Sequence, residues 1–135
     1  KSWLQELPDP MTTMTWQTWV ELNPRTAELL GVEDGDVVRV ASRAGDLEAL
    51  VYVYPGIPED VVAVPAGQGH VQYGRWATGR GSNPARLLVP AQDEETGALA
   101  WGETRVRVSP TGRKVRLARL ENREGVEHVR RGEGR

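Results

Sequence analysis

Apolar positions come in short bursts divided by turn residues, with no sustained helical period. Trp16–Leu22 alternates as a strand does, with Trp16 and Thr18 on one face. Asn23-Pro24 then starts a helix, since Asn caps free amides and Pro suits the first helical position. Ala27, Leu29 and Leu30 give this short helix an apolar side, and Gly31 ends it. Val37–Ser42 and Leu47–Tyr54 predict two strands joined by a hairpin connection at Arg43–Asp46. Pro55–Pro58 breaks the second strand, and Asp60–Val64 predicts a short buried strand closed by Pro65. Leu87–Val89 and Trp101–Val108 predict the last strands. Short strands, frequent turns and one or two short helices make the fold mainly β, a barrel or a sandwich. Periodicity does not fix the strand order.

The length, 135 residues, is that of one domain. No run reaches the roughly 18 apolar residues that a bilayer requires. The absence of cysteine excludes a disulfide framework, a thiolate nucleophile and sulfur ligation of zinc or an iron–sulfur cluster. Lys1 opens the chain and Met11 is its first methionine, so a piece of a longer protein is expected. Charge divides the chain further. Residues 113–135 carry eight basic and four acidic side chains, whereas residues 1–112 carry nine basic and fifteen acidic. The expected organisation is a barrel over 1–112 followed by a basic tail or linker over 113–135. Glutamates interrupt the tail and no aromatic side chain in it can stack on a base, so nucleic acid is not an expected partner. Direct membrane insertion is not expected either.

The stretch richest in chemistry is Pro65–Arg86. It holds Gly67, Gly69, Gly74, Gly79 and Gly81, and glycine lets backbone amides approach a ligand closely. No acidic residue occurs from Val61 to Gln92, yet Arg75, Arg80 and Arg86 are present. Amides and arginines without carboxylates make an anion site, typically for phosphate or pyrophosphate. His70, Tyr73, Trp76, Ser82 and Asn83 add donors and stacking surface. A plain glycine-rich surface loop is the alternative.

Other chemistries fit poorly. A P-loop needs its lysine, and none occurs between Lys1 and Lys114. A dinucleotide fingerprint needs a different glycine spacing and a following helix. Ser82 does not sit in a nucleophile elbow. Two histidines without cysteine make a weak metal set. Gln92–Gly97, despite its paired glutamates, reads as an exposed turn.

One ordered series of residues carries a resemblance. Trp19-Val20-Glu21-Leu22-Asn23-Pro24, Thr26-Ala27, Leu29-Leu30-Gly31-Val32, Gly35-Asp36 and Gly45 are followed by Gly56-Ile57, Asp60-Val61-Val62, Val64-Pro65, Gly67-Gln68-Gly69-His70 and Asn83-Pro84. This series resembles the molybdopterin-dinucleotide-binding domain that closes the large subunit of dimethyl-sulfoxide-reductase-type oxidoreductases. The resemblance implies a double-psi β-barrel whose loops cover a molybdopterin guanine dinucleotide carrying molybdenum or tungsten. It places Gly67, Gln68, Gly69, His70 and Asn83 toward the cofactor, with Thr12 and Thr13 in a second loop. Arg75 and Arg80 are the candidate pyrophosphate partners. Trp3–Pro10 with Thr12-Thr13 is similar to subunits of polysulfide-reductase and alternative complex III type. That similarity implies an iron–sulfur cluster in the parent, an iron–sulfur electron-transfer subunit, a membrane-anchor subunit and the outer face of the bacterial plasma membrane. Some members of that group keep the barrel as a structural part without cofactor, which is the alternative function. The barrel of aspartate decarboxylase shares this fold and cleaves itself at a Gly-Ser bond, so Gly81-Ser82 offers self-processing as a third reading.

Overall fold

The computed structural model describes residues 4–120. Four strands, β1 (Trp19–Leu22), β2 (Asp36–Ala41), β3 (Asp46–Val53) and β4 (Arg107–Lys114), form one sheet in the order β1-β3-β2-β4. Two short helices, α1 (Pro24–Leu30) and α2 (Gly74–Ala77), and single 3-10 turns at Pro84–Leu87 and Trp101–Glu103 complete it. The mainly-β expectation holds. β2 and β3 form the expected hairpin, while β1 runs parallel to β3. This crossover, carried through α1, is compatible with a double-psi barrel. No helix among the described residues is long and apolar enough to cross a membrane.

The core is built from small aliphatic side chains. Val20, Leu22, Val38, Val40 and Val51 are fully buried, and Ala27 brings α1 against them. Each such aliphatic side chain contributes roughly 1.5–3 kcal/mol by leaving water. At the start of α1 the Asn23 side chain accepts from Arg25 N–H, and Gly31 ends the helix at φ 66°. Leu29 does not belong to the apolar side: it is 81% exposed. At 100° per residue, Ala27 and Leu30 share a face while Leu29 turns away.

Several boundaries differ from expectation. β1 starts at Trp19, because Trp16 takes the left-handed φ of 59°, which a strand cannot include. Asp60–Val64 is not a buried strand. Between Pro58 and Pro65 only Ala63 pairs, with Glu21, and Val61 is 42% exposed. Leu87–Val89 is not a strand either, because Asn83 caps Ala85 and Pro84 opens a 3-10 turn that buries Leu87. Trp101–Glu103 is helical and the last strand begins only at Arg107. That strand then passes through Pro110 and Gly112. β4 is an edge strand with a register shift opposite Asp36/Val38, so a missing N–H and a φ of 75° are tolerated there. Gln92–Gly97 is an exposed turn as expected. Thr96 amide and hydroxyl both donate to Asp93 and hold its carboxyl below the ordinary range.

The expected boundary after residue 112 falls inside β4, and the chain stays attached beyond it. Val115 N–H donates to Gly35 O at 2.8 Å. Gln17 reads the next residues, donating to Arg116 O at 3.0 Å and accepting Ala118 N–H at 2.7 Å. Met14 bridges Arg119, and Leu120 N–H donates to Thr13 O at 3.2 Å. The Arg119 guanidinium lies 4.9 Å over the Tyr52 ring and 3.6 Å from Asp34. The part of the expected tail from residue 121 onward lies outside the described residues. Truncation after residue 112 removes the end of β4 and all these bonds. It is expected to lower Tm by about 10 °C, measured by thermal denaturation against the full chain.

Candidate functional site

The Pro65–Arg86 loop is structured rather than plain. Gly69 N–H donates to Arg80 O at 2.9 Å and Gly79 N–H donates to His70 O at 3.0 Å. These two bonds draw residues 69–70 and 79–80 into a neck. Beyond the neck, Thr78 hydroxyl donates to Gly74 O at 2.6 Å and accepts Tyr73 N–H at 3.0 Å, closing the turn that holds α2. Ala77 is fully buried and roots this excursion, and His70 stacks on Tyr73 with ring centroids 4.3 Å apart. Glycine at 69 and 81 is a steric requirement. A Cβ on Gly69 would collide with Asn83 N and the Ser82 carbonyl carbon, and one on Gly81 with Gln68 Oε1 and Thr18 Oγ1.

Residues 4–18 meet this loop at three places. Gln5 Nε2 donates to Gly67 O at 3.3 Å, and Gln5 O accepts Trp16 N–H at 2.9 Å. The Arg80 guanidinium lies 5.4 Å over the Trp16 ring while its Nε donates to Trp76 O at 2.8 Å. Thr18 bonds both Gln68 and Ser82. Two non-glycine residues of the first loop, Thr13 at φ 58° and Trp16 at φ 59°, are held in the left-handed region. Such strain costs on the order of 1–3 kcal/mol each and concentrates at ligand sites.

The expected site residues divide accordingly. Gln68, His70 and Arg80 lie at or beside the neck, Gln68 bonded to Thr18 and His70 and Arg80 through their carbonyls, while Gly67 precedes it, exposed at φ 116°, and Asn83 follows it. Gly69 belongs with them by position, but its amide already serves Arg80 O. Asn83 Oδ1 accepts Ala85 N–H at 3.0 Å, which leaves its amide nitrogen for other contacts. Arg75 sits on the excursion, 4.9 Å over its neighbour Trp76. Thr12 is the residue the structure sets apart. It is 3% exposed and its hydroxyl donates to Asp9 at 2.9 Å, so its side chain closes a turn. Thr13 is half-buried and its hydroxyl donates to Thr12 O at 2.7 Å. Gln5 and Thr18 were not among the expected site residues. Thr18 did have a signal, a polar residue on the same strand face as Trp16. Gln5 had none, because its partner is 62 residues away.

Arg75 and Arg80 rest on aromatic rings, and neither pairs with a carboxylate among the described residues. Their charge remains available to an anion. An open depression of about 240 Å³ is lined by Trp16, Thr18, Gly81 and Ser82 together with the Glu48–Arg113 ion pair, and Arg80 reaches it only through its contact with the Trp16 ring. Gln5 Oε1 is buried with no partner among the described residues, next to the Gly67 carbonyl that its own Nε2 holds. Unpaired cations with an orphan acceptor suit a ligand having both phosphate oxygens and N–H donors. Among the described residues no three His, Cys, Asp or Glu side chains gather to hold a metal.

A family model described as "Molydopterin dinucleotide binding domain" matches residues 1–105. The chain belongs to this family. The domain is 32% identical over 100 residues to the menaquinone reductase molybdopterin-binding-like subunit of Nitratidesulfovibrio vulgaris, covering 68% of this chain and 14% of that protein. It is 36% identical over 95 residues to the arsenate respiratory reductase molybdopterin-containing subunit of Shewanella sp., covering 65% of this chain and 11% of that protein. The chain therefore spans only a small part of the length of the relatives it matches. Acetylene hydratase from Pelobacter acetylenicus superposes with a TM-score of 0.55 at 23% identity, covering 68% of this chain and 14% of that one, a likeness of fold. The family model's description agrees with the cofactor-binding reading and does not favour a barrel that has lost its cofactor.

Gly69→Ala tests the packing of the domain's loop. It combines collision with Ser82–Asn83 and a φ of 77°, for a cost of roughly 3 kcal/mol in chemical denaturation. Gly79→Ala, at φ 72° but with open space around it, is expected to cost only about 1 kcal/mol.

Proposed function

We propose that this domain covers one molybdopterin guanine dinucleotide at the end of a larger reductase subunit, gripping the pyrophosphate with the Gly67–Asn83 loop. The observation that carries this is the pair of arginines, Arg75 and Arg80, held on tryptophan rings in a segment without acidic residues. Arg80 and the exposed Gly67 amide suit the phosphate oxygens, and Gln68 and His70 stand beside them. Gln5 Oε1 is the kind of buried acceptor that a pterin amino group would satisfy. When bound, the cofactor supplies the redox metal chemistry, with the metal being molybdenum or tungsten. The side chains here bind and orient it, and no step of the reaction falls to them.

The remaining domains of the parent subunit are the first partners. Met11, Val71 and Trp76 are 76%, 72% and 63% exposed in or beside the candidate loops, the apolar surface that a neighbouring domain would cover. An iron–sulfur electron-transfer subunit and a membrane-anchor subunit are the further partners that the family resemblance implies. The same resemblance implies placement on the outer face of the bacterial plasma membrane.

In the parent subunit, Arg80→Ala and His70→Ala are each expected to lower pterin content severalfold without loss of the folded protein. Pterin fluorescence after acid oxidation, with metal analysis alongside, measures this. Full pterin loading in the Arg80→Ala subunit would remove the pyrophosphate grip from the proposal.

A further inference from the structure

Thr18 lies one residue before β1 and is 4% exposed. Its carbonyl accepts Leu50 N–H at 3.1 Å, which pins its backbone to β3. Its hydroxyl stands between the two sides of the loop. Ser82 N–H donates to Oγ1 at 2.9 Å. Oγ1 itself lies 2.8 Å from Gln68 Oε1 and 3.2 Å from Ser82 O. A hydroxyl has one proton, and here the nearer acceptor is Gln68. That bond sets the orientation of the Gln68 amide, with oxygen toward Thr18 and nitrogen away. Among the described residues Nε2 donates to nothing, and it is not one of the polar atoms sealed from solvent. The arrangement also requires Gly81, since a Cβ there would occupy the space of both Gln68 Oε1 and Thr18 Oγ1.

We propose that Thr18 is the positioning residue of this loop, fixing Gln68 so that its two amide N–H groups, and not its oxygen, are presented to a phosphate-type oxyanion. The proposal rests on the anion-site reading above and deepens it. A glutamine free to rotate presents either a donor or an acceptor, and an acceptor turned toward an anion repels it. Binding through the donor would then require selecting one of two states, which weakens apparent affinity. The latch favours the donor state before the ligand arrives, since an inverted amide would leave the hydroxyl proton only the longer bond to Ser82 O at 3.2 Å. It also ties Ser82, and with it the turn at Asn83, to the sheet rather than to the loop's own backbone.

The test titrates the full chain with inorganic pyrophosphate by calorimetry and follows amide hydrogen exchange at Ser82. Thr18→Val keeps the side-chain shape and removes the hydroxyl. It is expected to speed Ser82 exchange and to weaken pyrophosphate binding, each by about fivefold to tenfold, the effect of losing one buried hydrogen bond. Thr18→Ser restores both. Gln68→Glu keeps an acceptor for Thr18, so Ser82 stays protected while pyrophosphate binding is lost. Pyrophosphate binding unchanged in Thr18→Val, or intact in Gln68→Glu, overturns the proposal. Should Thr18→Val fail to fold, Thr18→Ser and Gln68→Glu still decide it. A wild-type chain that does not bind pyrophosphate at all is a different outcome, because it overturns the anion-site reading before any variant is compared.

Discussion

A parallel strand pair is joined through main-chain bonds alone, and besides the Ser82 Oγ bond to Glu48 O the loop that carries the candidate site has a buried side-chain tie to it. Thr18 supplies that tie. Its carbonyl belongs to the sheet through Leu50 and its hydroxyl belongs to the loop through Ser82 and Gln68. Because both attachments are made by one residue, the loop inherits the rigidity of β1 and β3, whose neighbouring side chains are fully buried. Placing binding groups on loops supported by a packed scaffold is the common solution to combining access with precision. Here the buried Thr18 hydroxyl acts beside the Ser82 hydroxyl, which donates to Glu48 O of β3 at 2.7 Å, and the two glycines at 69 and 81 let backbone and side chain close around it.

The first loop is held by different means. Thr13 and Trp16 take left-handed backbone conformations that their own sequence disfavours. Something outside the loop must therefore maintain them. The main-chain bond from Trp16 to Gln5 is one restraint, and the C-terminal extension of β4 is the other. Thr13, Thr15 and Gln17 all bond to residues 116–120. The last described segment thus stabilises the strained loop, and Trp16 in turn gives Arg80 a surface to lie on. Stability and site geometry are coupled through residues about a hundred positions apart, and a boundary drawn on charge alone falls within a strand.

What the sequence made legible follows from how local each signal was. The Asn23-Pro24 cap, the β2–β3 hairpin and the acid-free glycine loop depend on neighbouring residues, and each was readable. The same Asn-Pro signal at 83–84 predicts the start of a helical turn. Leu87-Leu88-Val89 masks it by reading as a strand on composition, although Leu87 alone is buried. The pattern stops short of the end of β4 for the opposite reason. Pro110 and Gly112 are breakers in a central strand, but only the strand order reveals that this one lies at an edge. Thr12 resembled a ligand contact by motif, and the neighbouring Asp9 claims its hydroxyl. Gln5 and Thr18 depend on partners 62 and 64 residues away, a separation that no local pattern encodes.

The distribution of charge completes the physical picture. Arg25, Arg39, Arg113 and Lys114 each face a carboxylate on the exposed surface. Such pairs add little stability in water and are weakened further by salt. Their main consequence is that those cations are neutralised locally. The site arginines are treated differently. A guanidinium beside an aromatic ring gains roughly 0.5–1 kcal/mol at an exposed position, enough to restrict its side chain, yet keeps its full charge. Had Arg80 been anchored by a carboxylate, an incoming phosphate would have had to compete with that partner. Anchored by Trp16 and the Trp76 carbonyl, it is oriented without being neutralised. The exclusion of acidic residues from Val61 to Gln92 serves the same end, because one carboxylate in this loop would cancel the charge that the rings preserve.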